Sequence, residues 1–273
     1  MRLVDHHCHL DFPQFDADRA DVVARAKAAG VGVLISISTR IRKLDHLLAT
    51  VEPFDNVFCS VGTHPHYADS ELDIPAEEIV RLSEHPRIVA IGEAGLDYYY
   101  QKSTPAGQAQ GLKAHIKAAR ATGLPLVIHA RDADADMARL LEEASAAEGP
   151  FPALLHCFTG GAELAGRALR LGHYISFSGV LTFKASHALR AVAATVPIDR
   201  VLVETDSPYL APQSKRGKRN EPAYVVHTAQ VLAEVRSMEP EALGEATTAN
   251  VYRLFGKLPR PAAAAKSMPG AAP

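Results

Sequence analysis

The chain of 273 residues has no tryptophan and only three cysteines. Cys8, Cys59 and Cys157 are scattered and form no Cys-x-x-Cys pair, which excludes a disulfide framework and argues against a structural zinc knuckle. Free thiols are typical of a reducing cytosol. No apolar run approaches the roughly 18–20 residues of a membrane span, and polar residues follow Met1 too soon for a signal peptide. We therefore expect a soluble, cytoplasmic protein with no membrane partner.

The chain also lacks a surplus of charge of either sign. It has 29 Lys and Arg residues against 31 Asp and Glu residues, for a formal net charge of −2. This balance excludes a globally basic nucleic-acid coat, so any contact with an anion must come from a local patch. Glycine and proline, 18 of each, are near their usual level, so the chain is neither collagenous nor broadly disordered. Histidine is unusually frequent, with 13 residues.

Eight short apolar runs recur along the chain, and each is a candidate β-strand. They lie at 3–9, 31–38, 57–62, 88–92, 124–129, 153–158, 174–177 and 200–205. Amphipathic, Ala-rich segments of helical character lie between them, at 17–29, 41–50, 76–84, 106–122, 132–147, 161–171 and 185–195. Apolar strands alternating with helices indicate a parallel sheet buried on both faces. Eight such units in about 250 residues predict an α/β fold, a (β/α)8 TIM barrel.

An open, doubly wound sheet is the alternative architecture. No Gly-x-Gly-x-x-Gly follows the first strand, which weakens a dinucleotide-binding version of it. Two further helices are predicted after the eighth strand, at about 222–236 and 239–255. We predict a single barrel domain over residues 1–258. The Pro/Ala-rich segment 259–273 has little that could pack and is predicted to be a disordered tail.

Metal-binding side chains stand at the C-terminal ends of five predicted strands. In a barrel these ends open onto the face that carries active sites. The residues are His7, His9, Glu93, His129, His156 and Asp206. His7 and His9 are two apart on a strand and should point into the barrel mouth, while alternation should turn His6 and Cys8 away. Because buried charges must be paired or coordinate a metal, the sequence predicts a metal site.

The chain resembles the TatD family of metal-dependent hydrolases, relatives of the amidohydrolases. The motifs that carry the resemblance are DHHCHLD (5–11), GTHPH (62–66), GEAGLD (92–97), IHAR (128–131), HCFTG (156–160), ETDSPYL (204–210) and RNEP (219–222). They occur in family order and span essentially residues 1–257. His6 departs from the family pattern, because relatives often carry a small residue there.

The resemblance implies two divalent metal ions. One would be held by His7, His9, Glu93 and Asp206, and the other by Glu93, His129 and His156, with Glu93 bridging. Imidazole and carboxylate ligands suit Zn, Mn, Fe or Ni, whereas family members are commonly described as Mg-dependent nucleases. The identity of the metal, whether Mg, Mn or Zn, is therefore open at this stage.

The expected chemistry is hydrolysis of a phosphodiester by metal-activated water. Glu93 and Asp206 are the candidate catalytic carboxylates; Asp206 either accepts the proton of the water or serves as a ligand only. Glu204, two residues earlier on the same strand, is expected to orient a ligand histidine. The resemblance further implies a deoxyribonuclease, a 3′-5′ exonuclease acting on single-stranded DNA or DNA ends.

Several residues near the same face are candidate phosphate contacts. His64 and His66 follow the third strand, and Arg131, whose planar fork suits phosphate, follows His129. The alternative for Arg131 is a salt bridge with Asp132 or with a neighbouring helix. A basic run after the eighth strand, with Lys215, Arg216, Lys218 and Arg219, is either a solvated loop or a salt-dependent contact with DNA phosphates.

Two other functions compete with the nuclease. One is hydrolysis of a small ester or amide, including the ester of an aminoacyl-tRNA; the absence of a lysine at the end of the fourth strand favours the Glu93-bridged phosphodiesterase instead. The other is a non-catalytic, metal-stabilised binding module. The open mouth argues against that module, because a structural metal site closes its coordination. A monomer is favoured over an oligomer.

Overall fold

Eight parallel strands pair in chain order and wrap into a nearly closed barrel. The computed structural model describes residues 1–260. The strands are β1 (Leu3–Cys8), β2 (Val31–Ser36), β3 (Val57–Val61), β4 (Ile88–Asp97), β5 (Leu126–Arg131), β6 (Ala153–Leu155), β7 (Tyr174–Phe177) and β8 (Val201–Val203). Closure comes from two backbone hydrogen bonds, which Asp206 donates to the His7 carbonyl and His9 donates to the Ser207 carbonyl. The predicted TIM barrel is confirmed, and the open sheet is excluded.

Helices connect successive strands, and two more follow β8 as predicted. They are α1 (Arg19–Ala28), α2 (Leu44–Val51), α3 (Ala76–Leu82), α4 (Pro105–Thr122), α5 (Asp134–Glu148), α6 (Ala162–Arg170), α7 (His187–Thr195), α8 (Val225–Val235) and α9 (Pro240–Leu254). The longest, α4, shows why its bounds lie where they do. The Thr104 hydroxyl accepts the Gly107 N–H, Pro105 occupies the first turn, and Gly123 ends the helix at φ 69°.

The predicted end of β4 is wrong by five residues. The apolar run predicts an end at residue 92, yet the strand continues to Asp97 and pairs with β5 along that extension. The extension contains a register shift between Gly92 and Ala94, and Gly92 has a φ of 107° that suits glycine. Glu93 therefore lies within a bulged part of the strand rather than beyond its end.

The bottom of the barrel is filled with apolar side chains from the beginnings of the strands. These include Val4, Val33, Phe58, Val89, Leu154 and Leu202. The C-terminal part of α9 covers them with Val251 and Leu254, and Phe255 lies in the same cluster. The C-terminal ends of the strands open at the opposite end of the barrel, which we call the mouth.

Two predictions from composition have different outcomes. No helix in the described part of the chain is both long and apolar enough to span a membrane. Of the predicted tail 259–273, residues 261–273 lie outside the described residues, so its disorder stays a prediction.

Gly62, directly after β3, lies against the backbone of β4. A Cβ at Gly62 would lie 2.3 Å from the Cα of Gly92, next to Glu93. We expect Gly62→Ala to destabilise the protein by about 1–3 kcal/mol, because the backbone must move, and thus to lower Tm by several degrees. Gly32→Ala, at a strand position with no atom within 4 Å, is the matched control. Equal Tm values for the two variants in thermal unfolding would contradict this packing.

Candidate metal centre

Strand β1 brings two adjacent histidines to the inside of the barrel. Its register against β2 shifts between Asp5 and Cys8, so strict alternation is broken there. The prediction that alternation turns His6 to the opposite face from His7 is therefore wrong, because both lie inside the barrel, with His6 below the mouth near Phe255. Nε2 of His6 lies 2.8 Å from Oγ of Ser176, inside the barrel, while His7 next to it reaches the mouth. Cys8 does turn outward, into the core between strands and helices.

Glu93 lies at the centre of the mouth, with its carboxylate 2% exposed. Oε2 lies 2.8 Å from Nε2 of His156, 3.6 Å from Nε2 of His7 and 3.9 Å from Nδ1 of His129. Oε1 lies 3.7 Å from Nε2 of His64. Burial opposes ionisation of this carboxyl, but the imidazoles of His64 and His156 hold its pKa well below the usual range.

Asp206 enters the mouth from the segment after β8, with a positive φ of 57°. Its Oδ1 lies 3.4 Å from Nε2 of His9 and 3.6 Å from Nε2 of His7. Burial alone would lower the pKa of His9, but its hydrogen bond to Asp206 and the nearby Glu93 carboxylate raise it to about 9. The metal-free protein therefore carries a proton on His9 at neutral pH.

Three of the imidazoles turn one nitrogen to the cluster and hold the other on an oxygen acceptor. Nδ1 of His156 lies 3.3 Å from Oε1 of Glu204, which is the partner that the sequence predicts for a ligand histidine. Nε2 of His129 lies 3.2 Å from Oδ2 of Asp97. Nδ1 of His9 lies 3.1 Å from the Ile37 carbonyl oxygen. Such outer partners fix the tautomer and orientation of metal-ligating histidines.

Sequence reasoning missed Asp97. Its Oδ2 lies between Nε2 of His129 and Nε2 of His66, the latter at 2.9 Å, and Oδ1 accepts the Tyr100 N–H. Burial opposes ionisation of Asp97, but the hydrogen bond with His129 and the Tyr100 N–H hold its pKa below the usual range. Asp97 is the last residue of the GEAGLD motif, which was a signal for its role. The sequence predicts a shorter β4, however, and that prediction places Asp97 in a loop.

The donor set fits a divalent metal. Within the described residues, both ring nitrogens of His7 are buried and have no hydrogen-bond partner, an expensive state for polar atoms unless an ion satisfies them. Three groups in the described chain place their ligand atoms within 4.8 Å of one another. They are His7, His156 and Asp206; His7, His9 and Glu93; and His64, Glu93 and His129. Imidazole with carboxylate is the ligand chemistry of Zn, Mn, Fe and Ni.

His64, which the sequence predicts as a phosphate contact, lies among the candidate metal ligands. It belongs to one of these ligand groups, beside Glu93 and His129. Thr63, just before it, donates its N–H to Nε2 of the buried His115. His64 is thus held at the cluster rather than at the rim of the mouth.

Arg131 is positioned against aromatic rings rather than against a carboxylate. Its guanidinium carbon lies 4.2 Å from the centre of the Tyr99 ring and 4.9 Å from that of Tyr100. Within residues 1–260 Arg131 makes no ion pair with Asp132, which was the alternative to a phosphate contact. Its five N–H donors face no acidic partner there, so the guanidinium can receive an anion.

The basic run after β8 is tied down at one end. Arg219 donates to both carboxylate oxygens of Asp18, at 2.8 Å each, and stacks on Phe15. The structure therefore uses Arg219 to fasten this loop to the start of α1, which differs from the predicted phosphate contact. Lys215 and Arg216 lie over the rings of Tyr224 and Phe183, at 5.2 and 4.3 Å.

Comparison with known proteins gives a consistent result. The family described as TatD related DNase matches residues 4–256. "Uncharacterized metal-dependent hydrolase YcfH" of Escherichia coli K12 is 42% identical, over 93% of this chain and 96% of its own length. "3'-5' ssDNA/RNA exonuclease TatD" of Cronobacter turicensis is 38% identical, over 95% of this chain and its full length. The crystal structure of YJJV, a TatD homologue from Escherichia coli K12, superposes with a TM-score of 0.86 and 29% identity, covering 94% of this chain and 99% of that one.

The raised pKa of His9 predicts how metal affinity depends on pH. A metal ligand must be neutral, so binding has to displace the proton that His9 carries below its pKa of about 9. We expect the affinity for Mn²⁺ to rise by at least about tenfold per pH unit from pH 6.5 towards pH 9, because His9 gives up one proton and His156, whose pKa is also raised, adds to the slope. In the metal-free protein the same raised pKa contributes stability that is complete below about pH 6.5 and is lost towards pH 9.

Competition with a chelating dye at each pH measures this affinity directly. An affinity that is flat or falls between pH 6.5 and 9 would contradict the displacement of a proton from His9.

Proposed function

The chain belongs to the TatD-related DNase family of metal-dependent hydrolases, and on that premise we propose that it hydrolyses phosphodiester bonds of single-stranded DNA from the 3′ end. The observation that carries the proposal is the buried Glu93 carboxylate, with imidazoles from β1, β5 and β6 around it, opening onto the mouth. The relative named as a 3′-5′ ssDNA/RNA exonuclease supports the choice of substrate and polarity.

Two divalent ions would share the centre. His7, His9, Glu93 and Asp206 would hold one of them, and Glu93, His129 and His156 the other. In support, Oε2 of Glu93 lies within 4 Å of Nε2 of His7, Nε2 of His156 and Nδ1 of His129, so one carboxylate oxygen faces ligands of both sets. When bound, such ions supply Lewis acidity that polarises a phosphoryl oxygen and lowers the pKa of water.

The two carboxylates at the cluster have different access to solvent. The Asp206 side chain is 15% exposed and that of Glu93 is 2% exposed. Asp206 is therefore the carboxylate that can meet water at the mouth and accept its proton, whereas Glu93 is placed to hold the centre together. Glu204 and Asp97 keep His156 and His129 in fixed tautomers by accepting their outer N–H groups.

The phosphate of the substrate would be received at the side of the mouth formed by β5. Arg131 presents its guanidinium there with no acidic partner among the described residues, and His66 lies nearby, hydrogen-bonded to Asp97. Lys215 and Arg216 lie after β8 and would contact phosphates of the DNA strand farther from the cleaved bond. We leave Arg219 out of this role, because its guanidinium is already paired with Asp18.

A substrate panel tests the proposal. Labelled single-stranded DNA, single-stranded RNA, blunt duplex DNA and an aminoacyl ester are each incubated with the protein and Mg²⁺, Mn²⁺ or Zn²⁺. We expect shortening of single-stranded DNA from the 3′ end and no comparable turnover of the ester. Glu93→Gln should reduce the rate by about 10³-fold or more, the scale of losing a group central to catalysis, and circular dichroism at the assay temperature checks that the variant is folded.

Glu77→Gln is the matched control for Glu93→Gln. Glu77 is an exposed carboxylate on α3 that pairs with Lys117, so its loss should leave the rate within twofold of the unsubstituted protein. Hydrolysis of the ester with no cleavage of DNA would replace the proposal with the ester hydrolase, and an unchanged rate in Glu93→Gln would refute the role of the centre.

A further inference from the structure

The large aromatic side chains on the surface are concentrated at the mouth. Among the residues that the structure describes, the exposed large hydrophobic side chains are Tyr67, Tyr99, Tyr100 and Tyr209, which we call the aromatic rim. Each follows the C-terminal end of a strand: Tyr67 follows β3, Tyr99 and Tyr100 follow β4, and Tyr209 follows β8. Their exposed fractions are 40–57%. Exposed apolar side chains that cluster in one region are typical of a binding surface, whereas singly scattered ones are ordinary.

The aromatic rim is continuous with the metal centre. On one side the rings of His66 and Tyr100 lie 5.2 Å apart, centre to centre, and His66 shares Asp97 with His129. The Tyr99 and Tyr100 rings then meet edge to face at 4.8 Å. A group bound on these rings would therefore lie next to the ligands of the metal.

A second arm leads outward from the opposite side of the centre. The ring of Phe12 stacks on His9 at 4.6 Å and meets Tyr209 edge to face at 6.1 Å. Because β3, β4 and β8 all end at the mouth, the two arms of the aromatic rim lie around one opening.

Cations accompany the rings. Arg131 lies over Tyr99 and Tyr100, Arg40 over Tyr67 at 4.8 Å, and Lys102 over Tyr100 at 5.7 Å. Rings alternating with cations match a ligand that alternates flat apolar groups with negative charges. A nucleic acid strand has this chemistry, with bases for the rings and phosphates for the cations.

We propose that the aromatic rim is a stacking site for the unpaired bases next to the scissile phosphodiester, with Arg131 receiving the phosphate between them. This deepens the proposed function and rests on it. Stacking needs an exposed base face, which a single strand offers and the interior of a duplex does not. The site thus selects unpaired ends without reading sequence, because every base has a π-face.

Binding to strands with and without bases tests this site. The probes are a fluorescent octamer of deoxythymidine with cleavage-resistant phosphorothioate linkages, and an octamer with the same backbone and no bases. We expect Tyr99→Ala, Tyr100→Ala and Tyr209→Ala each to raise Kd for the first probe on the order of tenfold, with Kd for the baseless probe unchanged. Tyr→Phe at the same positions should restore binding, because the ring face is kept.

Tyr252→Ala is the matched control, since Tyr252 lies on α9 and packs at the bottom of the barrel. It should change neither Kd. Equal losses for both probes, no loss for either, or a wild-type protein that binds the two probes equally would overturn the stacking site. The cleavage assay above is independent: base-dependent binding with no cleavage would support the aromatic rim and retire the hydrolytic proposal alone.

Discussion

A buried carboxylate surrounded by imidazoles is the interaction on which this structure depends. Glu93 is almost fully enclosed, and histidines from separate strands converge on its two oxygens. An isolated carboxylate in that position would be very costly, so its neighbours have to supply positive charge, either as protons on histidine or as a metal ion. The bulge of β4 and the glycine contact between Gly62 and Gly92 serve to bring Glu93 to this point.

Much of the fold and of the centre could be predicted from the sequence, because both depend on local signals. Eight apolar runs separated by amphipathic segments define the barrel, and residues such as His129 and Asp206 follow those runs directly. The remaining features depend on register and on distant pairing. The shift in β1 brings His6 inside, the extension of β4 brings Asp97 to His129, and the pair Arg219–Asp18 joins residues far apart in the chain.

The aromatic rim was beyond sequence reasoning for a related reason. A tyrosine in a loop is ordinary, and only the barrel topology gathers Tyr67, Tyr99 and Tyr209 around one opening. Arg131 links the two levels of the site, because it follows the ligand His129 on β5 and also stacks on Tyr99. Metal chemistry inside the mouth and recognition of flat groups at its edge would then be coupled through β5, where the ligand His129 and the stacked Arg131 are two residues apart.

The central claim is that the polar cluster is a metal centre rather than a protonated hydrogen-bond network. Anomalous diffraction from crystals grown with Mn²⁺ or Zn²⁺ tests it most directly. We expect two peaks beside the Glu93 carboxylate, one next to His156 and the other next to His9. The contradicting result is a map without peaks in which Glu93 stays hydrogen-bonded to protonated imidazoles at saturating metal.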